Sequence, residues 1–222
     1  MNGMKKKLIP FCCAVIVLGF TAVLVVPAWR EIFKSATAAH PYLMGFIKFA
    51  FLAMVGELFA MRITLKEWTL PDGLIAKALV WGFLGAVLAL LFKMYAGGVA
   101  AAIELGLLPG SDKGFLFAFF SSVMINCTFC PTMMVFHKIT DTAIAMKYAG
   151  KSPINLTTIA KEIDWATLLN FTMAKTIPLF WIPAHTISFM LPGEYQIVMA
   201  AYLSIALGLI LALGGKKSRK AA

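Results

Sequence analysis

Apolar residues fall into six long stretches along the 222-residue chain, separated by short polar breaks. They run Leu8 to Trp29, Tyr42 to about Ile63, about Leu74 to Ala96, Gly114 to Phe136, about Ala166 to Leu191, and Tyr195 to Leu213. Each has roughly the 20 residues that a helix needs to cross a bilayer. Strands of a membrane barrel need only about 10 residues and alternate in polarity, so continuous runs predict helices. The expected fold is all-α: one polytopic membrane helix bundle of about six transmembrane helices, with no room for a separate soluble domain. The breaks carry turn chemistry at Pro27, His40-Pro41, Pro71-Asp72-Gly73, Pro109-Gly110 and Pro192-Gly193. Residues 94–108 are expected either to continue the third helix out of the bilayer or to form a short surface helix. In the longest polar connection, 138–165, Ser152-Pro153 predicts a short helix with Ser as N-cap and Pro at the first helical position.

Composition agrees with the pattern. The chain is 61% hydrophobic and 14% charged, against about 45–50% and about 25% in soluble domains. That excludes an ordinary soluble domain and a disordered chain. The net charge of +10 reads as membrane orientation before nucleic-acid binding, because cations gather on the cytoplasmic side of membrane proteins. Lys5, Lys6, Lys7, Arg62, Lys66, Lys77, Lys138, Lys147, Lys151, Lys161, Lys216, Lys217, Arg219 and Lys220 lie on one side of a six-span arrangement. Only Arg30, Lys34 and Lys113 lie on the other. Both termini are therefore expected in the cytoplasm. Lys5-Lys6-Lys7 before an apolar run resembles a signal peptide, but the run is about 18 residues, longer than the usual 7–15. An uncleaved anchor is the better reading.

Charge inside a span costs about 3 kcal/mol or more, so it marks function or a partner. Lys48 and Glu57 are nine residues apart, about 13 Å along a helix and on opposite faces. Lys48 is expected to snorkel outward, as is Lys93. Glu57 and Lys175 match in depth and are opposite in charge, and are expected to pair, either joining two helices or lining a polar pathway. The fifth stretch also holds Asn170, Pro178, Trp181, Pro183, His185 and Ser188. Two prolines there free backbone carbonyls and kink a helix. The fourth stretch carries Ser121, Ser122, Asn126, Thr128 and the pair Cys127-x-x-Cys130. A membrane thiol-disulfide oxidoreductase is the weakest reading, because Cys12, Cys13, Cys127 and Cys130 all fall toward the reducing side. No His or carboxylate completes a metal ligand set around them. No catalytic signature or cofactor motif is present, so a non-enzyme without cofactors is expected.

Small residues recur four apart at Ala200, Ser204, Gly208 and Ala212, at Gly56 and Ala60, at Gly82 and Ala86, and at Gly85 and Ala89. This is the pattern of close helix approach, within one bundle or between the subunits of a homo-oligomer.

The segment Trp181-Ile-Pro183-Ala-His185-Thr-Ile-Ser188-Phe189-Met-Leu-Pro192 resembles a divergent form of W-P-x-x-Q-x-x-N-F-x-x-V-P. That is the signature of the Mpv-seventeen family of small peroxisomal and mitochondrial membrane proteins. Trp181, Phe189 and Pro192 match its Trp, Phe and last Pro; His185 stands for its Gln and Ser188 for its Asn. Pro183 falls one place late, and one residue is missing before Pro192. Pro41-Tyr42, Gly56-Glu57 and Phe92-Lys93-Met94-Tyr95 resemble the family's earlier helices, so the likeness covers about residues 40–213. It implies a multi-helix membrane protein of a kind that includes channels. The expected function is a channel or transport-like protein for small solutes, with Glu57, Asn126, Lys175, His185 and Ser188 lining the path or buried beside it. A structural or assembly factor is the alternative. A bacterial inner membrane is the expected location, because no Arg-rich, acid-poor transit peptide precedes the first span.

Overall fold

Proline and glycine punctuation decides where the helices of this chain begin and end. A computed structural model describes the backbone of residues 3–218 and the side chains of residues 7–210. Every regular element among them is helical. The first, α1, is Gly3–Val25. It stops earlier than expected, because Pro27 disfavours helical geometry at Val26 (φ −74°, ψ 119°) and itself takes the first position of a new helix. This helix, α2, is Pro27–Ala39, where the sequence pattern predicts the end of the first span at Trp29 and then a polar break. It is amphipathic, with Phe33 buried and Trp29 and Ile32 exposed.

Pro41 starts α3, Pro41–Leu65. Gly73, at φ 70°, makes the turn into α4, Leu74–Glu104. At 31 residues α4 is about 46 Å long, so it continues well past a ~30 Å hydrocarbon core. This matches the first of the two expectations for residues 94–108. Likewise α5, Phe115–Tyr148, runs beyond the expected end at Phe136. The short helix of the polar connection is α6, Leu156–Glu162. It starts later than Ser152-Pro153 predicts because Asn155 offers a reciprocal cap. The Asn155 side chain accepts from the Thr158 N–H at 3.0 Å, and Thr158 Oγ1 accepts from the Asn155 N–H at 3.0 Å.

The fifth apolar stretch is helical but fragmented. It comprises α7 (Trp165–Thr167), two π-helical pieces (Leu168–Met173 and Ile177–Trp181) and α8 (Ile182–Met190). Pro178 and Pro183 lack the N–H that regular α-helical bonding requires. Wider i→i−5 bonds occur in both π-helical pieces: Ile182 N–H bonds the Ile177 carbonyl across Pro178, and Ala174 N–H bonds the Leu169 carbonyl at 3.0 Å before it. The last helix, α9, is Gly193–Ser218.

Among the described residues, five helical segments are long and apolar enough to cross a membrane: Lys7–Val25, Pro41–Leu65, Leu74–Glu104, Phe115–Tyr148 and Gly193–Ile210. The sixth expected span is the fragmented stretch just described.

The chain forms two compact units. The first is Met1–Ala86 with Val198–Ala222. Here the small-residue pattern works as close helix packing. A methyl group placed on Gly56 would lie 3.0 Å from Ile205 Cα, and one on Gly208 would lie 3.1 Å from the Gly56 carbonyl oxygen. A methyl on Gly82 would lie 2.6 Å from the Phe46 ring, and one on Gly85 would strike the Gly45 carbonyl oxygen. Thus α3 meets both α9 and α4 backbone to backbone. Ala212, the last rung of the expected ladder, lies outside the described side chains. The second unit is Val87–Ile197, built on α5 and the fragmented stretch.

Candidate functional site: a buried polar cluster on α5 and α8

Residues four apart on a helix share a face, and α5 uses this to stack Ser122, Asn126 and Cys130. All three are buried. Asn126 Nδ2 donates to the Ser122 carbonyl at 2.8 Å and approaches Ser122 Oγ at 3.2 Å and His185 Nδ1 at 3.0 Å. Cys130 Sγ donates to Asn126 Oδ1 at 3.2 Å. Ser122 Oγ donates to the Ile182 carbonyl at 2.7 Å, which also accepts from Thr186 Oγ1 at 2.7 Å. With Asn126 donating, His185 accepts at Nδ1, and its ring proton sits on Nε2. Aromatic rings enclose the imidazole. Trp181 is 5.0 Å away, and Phe92 of α4 stands edge-on at 5.3 Å while stacking on Phe189 at 4.7 Å.

The cluster borders an opening. Asn126, Cys127 and Pro131 face Met173, Ile177 and Pro178 across a groove of about 440 Å³. The π-helical pieces form its far wall, and irregular helix of this kind at membrane depth is tolerated where it lines a cavity or packs on protein. Asn126 therefore belongs both to the buried hydrogen-bond network and to the groove wall. Chemically, the arrangement supplies neutral donors and acceptors in an aromatic shell. No group of His, Cys, Asp or Glu able to hold a metal occurs among the described residues.

The other expected site residues are distributed differently. Ser188 is fully buried, but its hydroxyl donates to the Ala184 carbonyl of its own helix at 3.1 Å. Pro192 is exposed at the end of α8. Lys175 is exposed, with Nζ 5.6 Å from the Phe171 ring. Glu57 has a different partner from the one expected. Its Oε1 lies 2.5 Å from Lys77 Nζ, with side-chain exposures of 21% and 13%. The Pro71-Asp72-Gly73 turn folds the first turn of α4 back beside α3 and brings Lys77 there. Lys48 does not snorkel. It is fully buried, donates to Thr37 Oγ1 at 3.0 Å and lies 4.3 Å from the centre of the Phe33 ring. Both partners belong to α2, whose amphipathic pattern over residues 27–39 was the available signal. All four cysteines are free thiols, Cys12 and Cys127 exposed, Cys13 and Cys130 buried. Sequence reasoning also missed Ser122 as the link to α8 and Phe92 as a wall of the cluster.

In the polar connection, the Asp164 carboxylate accepts from Thr167 Oγ1 at 2.6 Å and from the Thr167 N–H at 2.9 Å. The Thr167 hydroxyl, then its backbone N–H, hold the carboxyl below its ordinary value of 3.8.

These elements define a multi-pass helical membrane protein. Comparison with family models, curated proteins and solved structures returned no match.

Proposed function

We propose that the protein is a non-enzymatic channel or transport-like protein for small solutes, and that the solute passes beside Asn126 and His185. The observation that carries this reading is the position of Asn126. It anchors a buried polar network and also walls a groove whose far side is helix broken by Pro178 and Pro183. A packing-only segment of this apolar chain has no need of such a break, since unbroken helix satisfies its own backbone. The resemblance to the Mpv-seventeen family adds support, because His185 and Phe189 of the signature pack on Phe92, and its Trp181 packs on His185. On this reading the fragmented stretch makes a sixth crossing. Both termini are cytoplasmic, as the distribution of cations favours; the side chains of Lys5, Lys6, Lys216, Lys217, Arg219 and Lys220 lie outside the described residues. The host membrane is a bacterial inner membrane, and the partner is the lipid bilayer, with no nucleic acid and no cofactor.

One observation favours the alternative, a structural or assembly factor. Both Asn126 side-chain heteroatoms are satisfied by protein groups, as in a network that only fixes packing. Flux of small neutral and charged solutes from liposomes containing the purified chain separates the two. Transport predicts a leak that Asn126→Leu and His185→Leu each change severalfold. A bilayer that stays tight to all of them supports the structural factor and overturns the proposal.

A further inference from the structure

The unit Met1–Ala86 with Val198–Ala222 contains a groove of about 490 Å³. Its walls include Cys13 and Val17 of α1, Phe59 of α3, Trp68, and Ile205 and Leu209 of α9. A polar rung closes one end. Tyr202 of α9 places its hydroxyl 2.9 Å from Thr21 Oγ1 and 3.3 Å from the Val17 carbonyl oxygen, tying α9 to α1. Beyond that rung the two helices leave a gap floored by Phe59, whose ring meets Trp68 at 5.6 Å. Pro10, at the far end of the α1 wall, removes one backbone bond of its helix.

Three observations say what fits there. The α1 wall from Pro10 to Leu18 spans about 12 Å, close to the ~15 Å of one leaflet's hydrocarbon. The lining is almost wholly carbon, and the Tyr202 hydroxyl is already bonded within the protein. A polar solute would lose its water without replacement. Finally, the open end is basic. Lys7 lies one turn before Pro10 on α1, Arg62 is three residues beyond Phe59 on α3, and Lys66 is the C-cap of α3. Of the acids near this end, Glu57 is paired with Lys77, and Glu67 and Asp72 are fewer than the three cations. A Trp at the junction of an apolar groove and a basic rim is typical of the membrane–water interface.

We infer that this groove seats one acyl chain of an anionic glycerophospholipid, with the headgroup held by Lys7, Arg62 and Lys66. The lipid comes from the leaflet on the basic side of the protein. It fills the gap between α1 and α9 that the chain does not fill itself, and so belongs to the folded unit.

Native mass spectrometry of the full chain in a mild detergent tests this, titrating dioleoyl phosphatidylglycerol against dioleoyl phosphatidylcholine. The expected result is one tightly held phosphatidylglycerol per chain, with phosphatidylcholine weaker. Arg62→Gln with Lys66→Gln should weaken phosphatidylglycerol more than tenfold, at roughly fivefold per cation, and leave phosphatidylcholine unchanged. Ala14 of α1 and Ala206 of α9 also line the groove, so Ala14→Trp fills it and should abolish the tight adduct; Ala206→Leu fills it from α9 if Ala14→Trp does not retain its helix content. Equal binding of the two lipids to the wild type would overturn the inference. So would retention of the tight adduct by a folded, groove-filled variant, or a lipid-free dimer that Ala14→Trp dissociates.

Discussion

Two glycines twelve residues apart on α4 should respond to the same substitution with opposite signs. Glycine inside a helix is less stable than alanine by roughly 0.5–1 kcal/mol, because it loses more backbone freedom on folding. At Gly97 nothing lies within 4 Å of an added methyl group. Gly97→Ala should therefore stabilise by roughly that amount. At Gly85 the methyl would strike the Gly45 carbonyl oxygen and lie 2.6 Å from Phe49 Cβ. Neither atom is the movable end of a side chain, so α3 and α4 must separate. Overpacking of this kind costs roughly 1–3 kcal/mol, which exceeds the helix gain and leaves Gly85→Ala destabilised by roughly 1–2 kcal/mol. Equilibrium unfolding by titration with a denaturing detergent, followed by helix content, measures both. A neutral or stabilising Gly85→Ala would refute the backbone contact between α3 and α4. A destabilising Gly97→Ala would refute the open environment assigned to the outer part of α4.

Further consequences concern the polar groups. A double-mutant cycle between Asn126→Leu and His185→Leu should give a coupling of roughly 0.6–1.7 kcal/mol, the range for a hydrogen bond between membrane helices; zero coupling would remove the 3.0 Å contact. Glu57→Gln should destabilise by about 1 kcal/mol, and the exchange Glu57→Lys with Lys77→Glu should recover part of the loss, read from the same unfolding titration. Asp164 binds its proton less readily when folded, so its contribution is present above the ordinary carboxylate value of 3.8 and is lost as pH falls through the lower folded value. An Asp164 side-chain resonance titrating at or above 3.8 in the full chain would contradict the cap formed with Thr167.

Long apolar runs are read directly from sequence because a bilayer demands length and continuity, and five of the six expected spans have matching helices. The helix α2 escaped notice because its 13 residues are too few to span, and its alternation of apolar and polar faces only acquires meaning between two membrane helices. That omission also hid Lys48, whose burial depends on Phe33 and Thr37. Depth along a span was the wrong guide for Glu57, because a tight turn at 71–73 brings Lys77 to it. The kink in the fifth stretch was legible from Pro178 and Pro183, since a missing N–H is a local fact. Asn126 and His185 were each legible as polar residues in apolar helices. Their contact, across 59 residues, required the packing of α5 on α8.

The central claim is that the Asn126 groove opens to water within the membrane. Cys127 lines that groove and is an exposed free thiol. With Cys12, Cys13 and Cys130 replaced by alanine, the protein in liposomes should react at Cys127 with a water-soluble, membrane-impermeant maleimide. A thiol that stays inert in the bilayer yet reacts fully after denaturation would contradict the claim and place the groove against lipid.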